Sequence, residues 1–288
     1  MGASLTHTEM VSAIGLSYKN GKTKRLIGSP DEQGPTVLQL FAPDAASSAR
    51  GAELALAMRS FDAVQINMAC PMPKVTKRGA GAALLSRPDE ARDIVASLEK
   101  FALPVWVKLR VTDRHSPLNT ESLCESLIAA GAKLLAIHGR TPAQRYEGVS
   151  DKERVCSIAR IFPGVVAASG DYYEPSDAIT YLDGGCAAVL AARGVLRDMF
   201  LIPRTLAALG CGVPREFISP SLRERADAMI RFGSLYMKDE GERFGIVMVK
   251  RMLAGVFKGF PGASVIRQGC LERRDWHGME EFLKGDLA

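Results

Sequence analysis

The sequence predicts an α/β fold, a (β/α)8 TIM-type barrel that lacks its first strand–helix unit, followed by a small all-helical domain. Short apolar segments alternate with amphipathic segments from the start of the chain to about residue 210. This alternation is typical of a parallel sheet covered by helices. Beyond residue 212 no strand pattern occurs. We therefore expect a barrel over residues 1–212 and a helical domain over 213–288.

The apolar segments give seven candidate strands, one fewer than a closed (β/α)8 barrel requires. They lie at Ser4–Thr8, Thr36–Leu40, Ala63–Asn67, Val105–Leu109, Leu134–His138, Gly164–Ala168 and Ala188–Ala191. Helical patterns fill the intervals, including Ala45–Arg59, Pro88–Lys100, Thr120–Ala130 and Pro175–Leu182. After a Gly- and Pro-containing boundary near 209–214, helical patterns follow at Leu222–Tyr236, at Arg243–Ala254 and beyond Pro261.

Composition excludes several classes of protein. The chain has 288 residues, of which 47% are hydrophobic and 24% charged, so we expect globular structure throughout. No apolar run approaches the roughly 18 residues of a membrane span, and no signal-peptide pattern begins the chain. Six cysteines are scattered without a CxxC pair, which argues against a zinc site or a disulfide framework. We expect a cytoplasmic monomer with no metal and no membrane partner.

One cysteine has unusual surroundings. Cys70 follows the apolar strand that ends at Asn67, and Pro71 and Pro73 stop that strand abruptly. The glycine-rich loop beyond it carries Lys74, Lys77 and Arg78, with no acid between Met72 and Arg87. An accessible cysteine beside cations has the environment of a reactive thiol, although an isolated cysteine is more often structural.

Polar residues also lie at the C-terminal ends of other strands, where (β/α) barrels have their active sites. They are Gln39, Asn67, Lys108 with Arg110, and His138 with Arg140. Each has an ordinary structural alternative: Gln39 could cap a loop, Lys108 could extend to solvent from a strand end, and His138 could be a hydrogen-bonded core histidine. Because all of them lie at strand ends, an active site is the favoured interpretation.

Two glycine-containing turns predict a phosphate site. Ser169-Gly170-Asp171 follows the sixth candidate strand, and Ala192-Arg193-Gly194 follows the seventh; each leads into a helix. In a complete barrel these two would be strands seven and eight. The loops after those strands commonly bind phosphate through backbone N–H groups, and Arg193 adds positive charge.

The C-terminal segment has a skewed charge distribution. Between Lys250 and Arg274 it contains six basic residues, including Arg251 and Arg267, against the single acid Glu272. Basic surface near Phe257, Phe260 and Trp276 is compatible with a nucleic-acid backbone. A solvated helix face explains the same composition, so both interpretations stay open.

Taken together, these motifs resemble the tRNA-dihydrouridine synthase family. The resemblance covers nearly the whole chain in order. It is carried by 8–13, 37–41, 67–85, 107–110, 137–141, 169–171 and 193–194, with 258–262 in the helical part. The Asn-x-x-Cys-Pro motif with its glycine-rich continuation is the most specific of these.

The resemblance implies that FMN-dependent reduction of specific tRNA uridines to 5,6-dihydrouridine takes place in the barrel. NADPH would reduce the flavin, whose N5 would deliver hydride to C6, and Cys70 would donate a proton to C5. The helical domain would bind tRNA. The implied cofactor residues are Gln39, Lys108, His138, Ser169, Gly170, Asp171, Ala192 and Arg193. The implied substrate residues are Asn67, Arg140, Lys250, Arg251 and Arg267.

The sequence departs from the family pattern at several positions. The family's first strand, with its Pro-Met flavin contact, is not found; Gln65 replaces an Asp, Ala69 and Ala192 replace Gly, and Ser169 replaces Asn. These departures keep open a degenerate relative that binds RNA without flavin activity. A flavin barrel reductase of a small enone or pyrimidine is another alternative, although the basic C-terminal segment argues against it.

Overall fold

The computed structural model describes residues 2–18, 21–28 and 34–285. The chain divides into two compact units. The sheet unit contains the described residues of 3–171 and 180–190, and the helical unit contains Gly2, 172–179 and the described residues from 191 onward.

The sheet unit is built on short, largely buried strands. Their bounds are β1 Thr6–His7, β2 Val11–Ser12, β3 Thr36–Phe41, β4 Ala63–Met68, β5 Val105–Arg110, β6 Leu134–His138, β7 Val166–Ser169 and β8 Ala188–Leu190.

All pairings between these strands are parallel, in the order β1-β3-β4-β5-β6-β7-β8, and β2 also pairs with β3. Because β1 and β2 pair with the two ends of one strand, they share a single position in the sheet. The sheet thus has seven positions side by side and forms a half-barrel of the TIM type. Within the described ranges, no pairing joins β8 to β1. The predicted α/β architecture with seven strand positions is confirmed.

The connections between these strands are mainly helical. Their bounds are α1 Ala13–Ser17, α2 Gly21–Arg25, α3 Ala45–Leu56, α4 Pro73–Thr76, a 3-10 turn Gly81–Ser86, α5 Pro88–Leu98, a 3-10 turn Glu99–Phe101, α6 Thr120–Ala129, α7 Lys152–Ile161 and α8 Pro175–Asp183, which begins in the helical unit.

Side-chain caps explain where several of these helices begin. Asp44, Asn119 and Asp151 each accept a hydrogen bond from the backbone N–H three residues later. The apolar faces of the capped helices then pack on the sheet, together with fully buried strand residues such as Ile66 and Val107. The core therefore lies between the sheet and its helical layer, and the strand ends are left to carry polar groups.

The helical unit has its own core. Its helices are α9 Arg193–Arg197, α10 Leu201–Ala208, α11 Arg215–Ile218, α12 Leu222–Glu240, α13 Glu242–Val256, α14 Ala263–Glu272 and α15 Trp276–Lys284. Ser221 and Glu224 form a capping box at the start of α12. Met229, Val249 and Leu253 are buried where α12 and α13 pack together. No helix in the described ranges is long and apolar enough to cross a membrane.

We predict that Gly51→Ala destabilises the protein. A Cβ added at Gly51 on α3 would lie 2.7 Å from Ala13 Cα on α1, so two packed helices must move apart. Overpacking of this kind costs about 1–3 kcal/mol, against a gain of about 1 kcal/mol in helix propensity. The measurement is the denaturant midpoint. Gly21→Ala is the control, because a Cβ there has no atom within 4 Å, and a midpoint for Gly51→Ala at or above that of the control would contradict the prediction.

Candidate active site

Strand register places the polar strand-end residues in adjacent rows. Gln39 pairs with Gln65, and two residues further along β4 Asn67 pairs with Lys108. In the next row Arg110 pairs with His138, which pairs with Ser169. Since residues paired across parallel strands point to the same face, these side chains share one face of the sheet. That face is concave, because Lys108 Nζ on β5 donates a 3.1 Å hydrogen bond to Ser169 Oγ on β7, across β6.

A side-chain cap holds the turn that carries Cys70. Asn67 Oδ1 accepts hydrogen bonds from Ala69 N at 3.0 Å and from Cys70 N at 2.9 Å. On the other side, Ala82 N donates to Cys70 O at 2.9 Å, next to Gly81, which has φ 61°. Glycine is required there because a Cβ would lie 2.6 Å from Cys70 O. The thiol is thus half-buried on a turn fixed from both ends.

A chain of three amides runs toward this turn. Gln39 Nε2 donates to Gln65 Oε1 at 2.7 Å, and Asn67 Nδ2 donates to Gln39 Oε1 at 3.0 Å. Gln65 is fully buried, and its Nε2 has no hydrogen-bond partner. Such an orphaned donor is costly unless a further group accepts from it. The orientation of Gln39 is therefore set on both sides by neighbours on β4.

Lys108 is the central cation of the concave face. Its pKa is lowered to about 8, first by burial and then by the Arg110 charge, with an opposing effect from Cys70. The pKa of His7 is lowered to about 4 by burial and by Lys108. Burial and the Lys108, Arg110 and Arg140 charges lower the pKa of His138 to about 3. Both imidazoles are consequently neutral at pH 7.

Arg140 and Asp171 form a buried ion pair at the end of β6. Two nitrogens of the Arg140 guanidinium donate to the Asp171 carboxylate at 2.9 and 2.7 Å, and Arg140 is only 3% exposed. Arg140 Nη1 also lies 3.2 Å from His138 Nε2. Asp171 has φ 42°, a left-handed conformation that the ion pair supports. The two residues predicted to have separate roles, one at the substrate and one at the cofactor, are thus joined to each other.

The Ser169-Gly170-Asp171 turn passes close to His138. A Cβ on Gly170 would lie 2.6 Å from the His138 ring and 2.5 Å from Ser150 Oγ, and Gly170 has φ 116°. Tyr181 OH donates to Gly170 O at 2.9 Å. The turn is therefore held against the site without room for a side chain at its centre.

The second predicted phosphate turn belongs to the helical unit. Ala192 lies directly before α9, and Arg193 is the first residue of that helix. The guanidinium carbons of Arg193 and Arg197 lie 5.9 and 4.2 Å from the centre of the Tyr173 ring. Both guanidinium groups therefore stack on one aromatic side chain.

The three basic residues predicted to contact substrate occupy different environments in the helical unit. Lys250 Nζ donates to the carbonyls of Leu271 and Arg273 at 3.0 and 2.9 Å, so it stabilises the C-terminal end of α14. Arg251 on α13 is exposed, and Arg267 on α14 is half-buried.

Comparison with known proteins identifies the family. A family model described as "Dihydrouridine synthase (Dus)" matches residues 1–285. The chain belongs to this family. A protein of Mycobacterium leprae named "Probable tRNA-dihydrouridine synthase" is 33% identical over 270 residues, covering 90% of this chain and 68% of the relative.

Two further relatives agree with the family model. A protein of the same name from Treponema pallidum is 30% identical over 271 residues, covering 90% of this chain and 79% of the relative. The "tRNA-dihydrouridine synthase B" of Pasteurella multocida is 26% identical over 271 residues, covering 93% and 80%. The resemblance inferred from the motifs is confirmed, and this member of the dihydrouridine synthase family is an oxidoreductase.

Two residues of this dihydrouridine synthase family member were not assigned a role from sequence. Gln65 was noted only as a departure from the family pattern, and Arg110 only as a neighbour of Lys108. Arg110 is 1% exposed, and it donates to Ala69 O at 2.7 Å and to Thr141 O at 3.0 Å. The period-two alternation along β4 and β5 was the available signal, since it places Gln65 with Asn67 and Arg110 with Lys108 on one face.

No group of three or more His, Cys, Asp or Glu side chains suitable for a metal ion occurs among the residues that the structure describes.

We predict that Lys108 makes the stability of the protein without a bound ligand rise between about pH 8 and pH 10. Its pKa is about 8 when folded and near 10.4 when unfolded, so the unfolded chain binds more protons in that window. Stability at pH 10 should exceed that at pH 8 by about 2 kcal/mol from this group. Urea unfolding of wild type and Lys108→Met at both pH values measures the difference; equal changes in the two proteins would contradict the prediction.

Proposed function

We propose that this enzyme reduces specific uridines in tRNA to 5,6-dihydrouridine, with FMN as cofactor and NADPH as reductant. Family membership and the names of the relatives support the reaction. The observation that carries the proposal within the chain is a capped, half-buried Cys70 beside the concave face that holds Lys108.

The donor groups of this face fit a flavin. Lys108 donates to a hydroxyl, and no carboxylate pairs with its ammonium in the part of the chain that the structure describes. The Gln65 Nε2 donor has no acceptor, and Gln39 keeps a second amide hydrogen. An isoalloxazine presents a row of carbonyl and ring-nitrogen acceptors, and its reduced form carries negative charge. We therefore assign Gln39, Lys108 and His138 to the flavin and its ribityl chain.

The two glycine-containing turns are the proposed phosphate ligands. Ser169 and Gly170 supply a hydroxyl and a close backbone, and Asp171 fixes the turn through Arg140. Ala192 and Arg193 would add backbone N–H groups and a cation. A 5′-phosphate needs several donors and positive charge, and each of the two turns offers some of these groups.

In the proposed mechanism the protein orients the uracil and controls one proton. Asn67 and Arg140 would border the base: Asn67 shapes the Cys70 turn, and Arg140 holds the loop that follows β6. When bound, FMN reduced by NADPH supplies the hydride that reaches C6. The Cys70 thiol donates its proton to C5, so hydride and proton together saturate the C5–C6 bond. The fixed turn keeps Sγ in one place during this transfer.

A uridine in folded tRNA must leave its base stack to reach the active site. The enzyme therefore also needs a surface that binds the folded RNA. We propose that the helical unit supplies this surface through its basic segment, with exposed Arg251 and Lys258 and with Arg267. Lys250 would contribute by holding the end of α14, whose carbonyls it binds.

The six cysteines are all free thiols, which suits a reducing cytoplasm.

We expect Cys70→Ala to retain FMN and its reduction by NADPH but to lose dihydrouridine formation. The substitution removes the acid and leaves the backbone hydrogen bonds of Asn67 in place. Loss of a general acid typically slows a reaction by about 10²–10⁴-fold. The measurements are flavin absorbance of the purified protein, anaerobic flavin reduction, and dihydrouridine in tRNA by mass spectrometry.

Cys211→Ala is the matched control, because Cys211 is an exposed cysteine of the helical unit. It should behave as wild type in all three measurements. A wild-type protein that takes up no FMN and forms no dihydrouridine would contradict the proposed function. Normal product formation by Cys70→Ala would contradict the role of the thiol alone.

A further inference from the structure

A groove of about 370 Å³ opens beside the Cys70 turn. Pro71, Thr76, Ala82 and Ser86 line it on the side of that turn, and Pro142 and Arg145 line it on the side of the loop after β6. Its volume is within the range of small-ligand sites. Because Pro71 directly follows Cys70 and Ala82 N bonds to Cys70 O, whatever fills the groove lies next to Cys70.

The second wall of the groove is formed by the loop of residues 141–149, called the platform loop, which two buried arginines hold in place. Arg140 donates to the carbonyl of Glu147 at 3.0 Å and to the carbonyl of Gly148 at 2.7 Å. Arg110 donates to Thr141 O at 3.0 Å. Buried guanidinium groups thus hold the platform loop in one shape, so that its outer side chains are presented without a further ordering cost.

The platform loop presents a cation and an aromatic ring. Arg145 is exposed and has φ 50°, one of three non-glycine residues with positive φ among the described residues. Tyr146 is 50% exposed, and its ring lies 5.7 Å from the Arg110 guanidinium carbon. A strained backbone that persists at a surface position is often found where a side chain must be presented in a fixed direction.

The chain segment that contributes Thr76 to the other wall of the groove is also basic. Lys74, Lys77 and Arg78 are exposed on and after α4, and no acidic residue occurs between Met72 and Arg87. Thr76 and Ser86, two residues with hydroxyl groups, line the groove, and the Thr76 hydroxyl donates to Met72 O at 3.4 Å. A cation in the groove, a basic segment that adjoins Thr76 in sequence and one exposed aromatic ring form the combination that binds single-stranded nucleic acid.

We propose that this groove is the subsite for the ribonucleotide next to the target uridine, with Arg145 on its phosphate and Tyr146 stacked on its base. The inference rests on the proposed function, because it assumes an extruded uridine near Cys70. Extrusion unstacks the neighbouring bases, and an aromatic ring at the mouth of the site replaces one of the lost stacking partners.

The test compares substitutions that remove each contact with substitutions that keep it. Arg145→Gln and Tyr146→Ala should each raise the KM for tRNA about 10-fold, in keeping with the energy of stacking or phosphate contacts. Arg145→Lys and Tyr146→Phe should stay within about 3-fold of wild type, since they retain the charge and the ring. Gln and Lys bear the same positive-φ strain as Arg145, so backbone effects cancel.

Two further readouts separate this role from a structural one. Flavin content and the KM for NADPH should be unchanged in all four variants. The salt dependence of tRNA affinity should become shallower by about one unit of log–log slope in Arg145→Gln. Arg92→Gln, which removes an exposed arginine on α5, is the control and should leave the KM for tRNA unchanged.

Three outcomes would overturn the inference. A wild-type KM for tRNA in both Arg145→Gln and Tyr146→Ala would show that the groove takes no nucleotide, while the proposed function would stand. A raised KM for NADPH in these variants, with tRNA unaffected, would assign the groove to the reductant instead. A wild-type protein without dihydrouridine synthase activity would overturn the function and this inference together, and that failure appears in the wild-type arm alone.

Discussion

The site depends on one buried guanidinium, that of Arg110, which joins the two loops at its mouth. Arg110 donates to the carbonyl of Ala69, directly before Cys70, and to the carbonyl of Thr141, in the loop that follows β6. Its Nε and Nη1 donate to the two carbonyls, and the rigid planar guanidinium holds these two nitrogens at a fixed separation. The position of the thiol relative to the platform loop therefore follows from a side chain that itself is 1% exposed.

The same arrangement concentrates positive charge on the concave face. Lys108, Arg110 and Arg140 lie near one another, and Asp171 balances only part of their charge through its pair with Arg140. Burial lowers the pKa of Lys108 to about 8 and keeps His138 neutral, and this crowding of positive charge adds to both effects. A ligand with hydrogen-bond acceptors and negative charge would reduce the repulsion between these cations. The concave face therefore favours ligands of that kind.

Much of this could be predicted from sequence. Apolar strands with polar residues at their ends fix the fold class, and alternation along β4 and β5 places Asn67 and Lys108 on one face. The amide chain through Gln65 could not be predicted, because it depends on the register of β3 against β4. The pairing of Arg140 with Asp171 joins residues 31 positions apart. Lys250 shows the same limit, since its role at the end of α14 depends on tertiary packing.

Single-turnover kinetics of Arg110→Lys would show whether the Arg110 guanidinium positions the Cys70 thiol. This substitution keeps the buried charge but replaces the rigid guanidinium, whose Nε and Nη1 hold the two carbonyls at a fixed separation, with one ammonium nitrogen on a flexible chain. With the proposed cofactor FMN bound and reduced by NADPH at the wild-type rate, the rate of dihydrouridine formation from bound tRNA should fall at least about 10-fold, because a misplaced Cys70, the proposed acid, would donate its proton less efficiently. A wild-type rate of dihydrouridine formation in this variant would contradict the account.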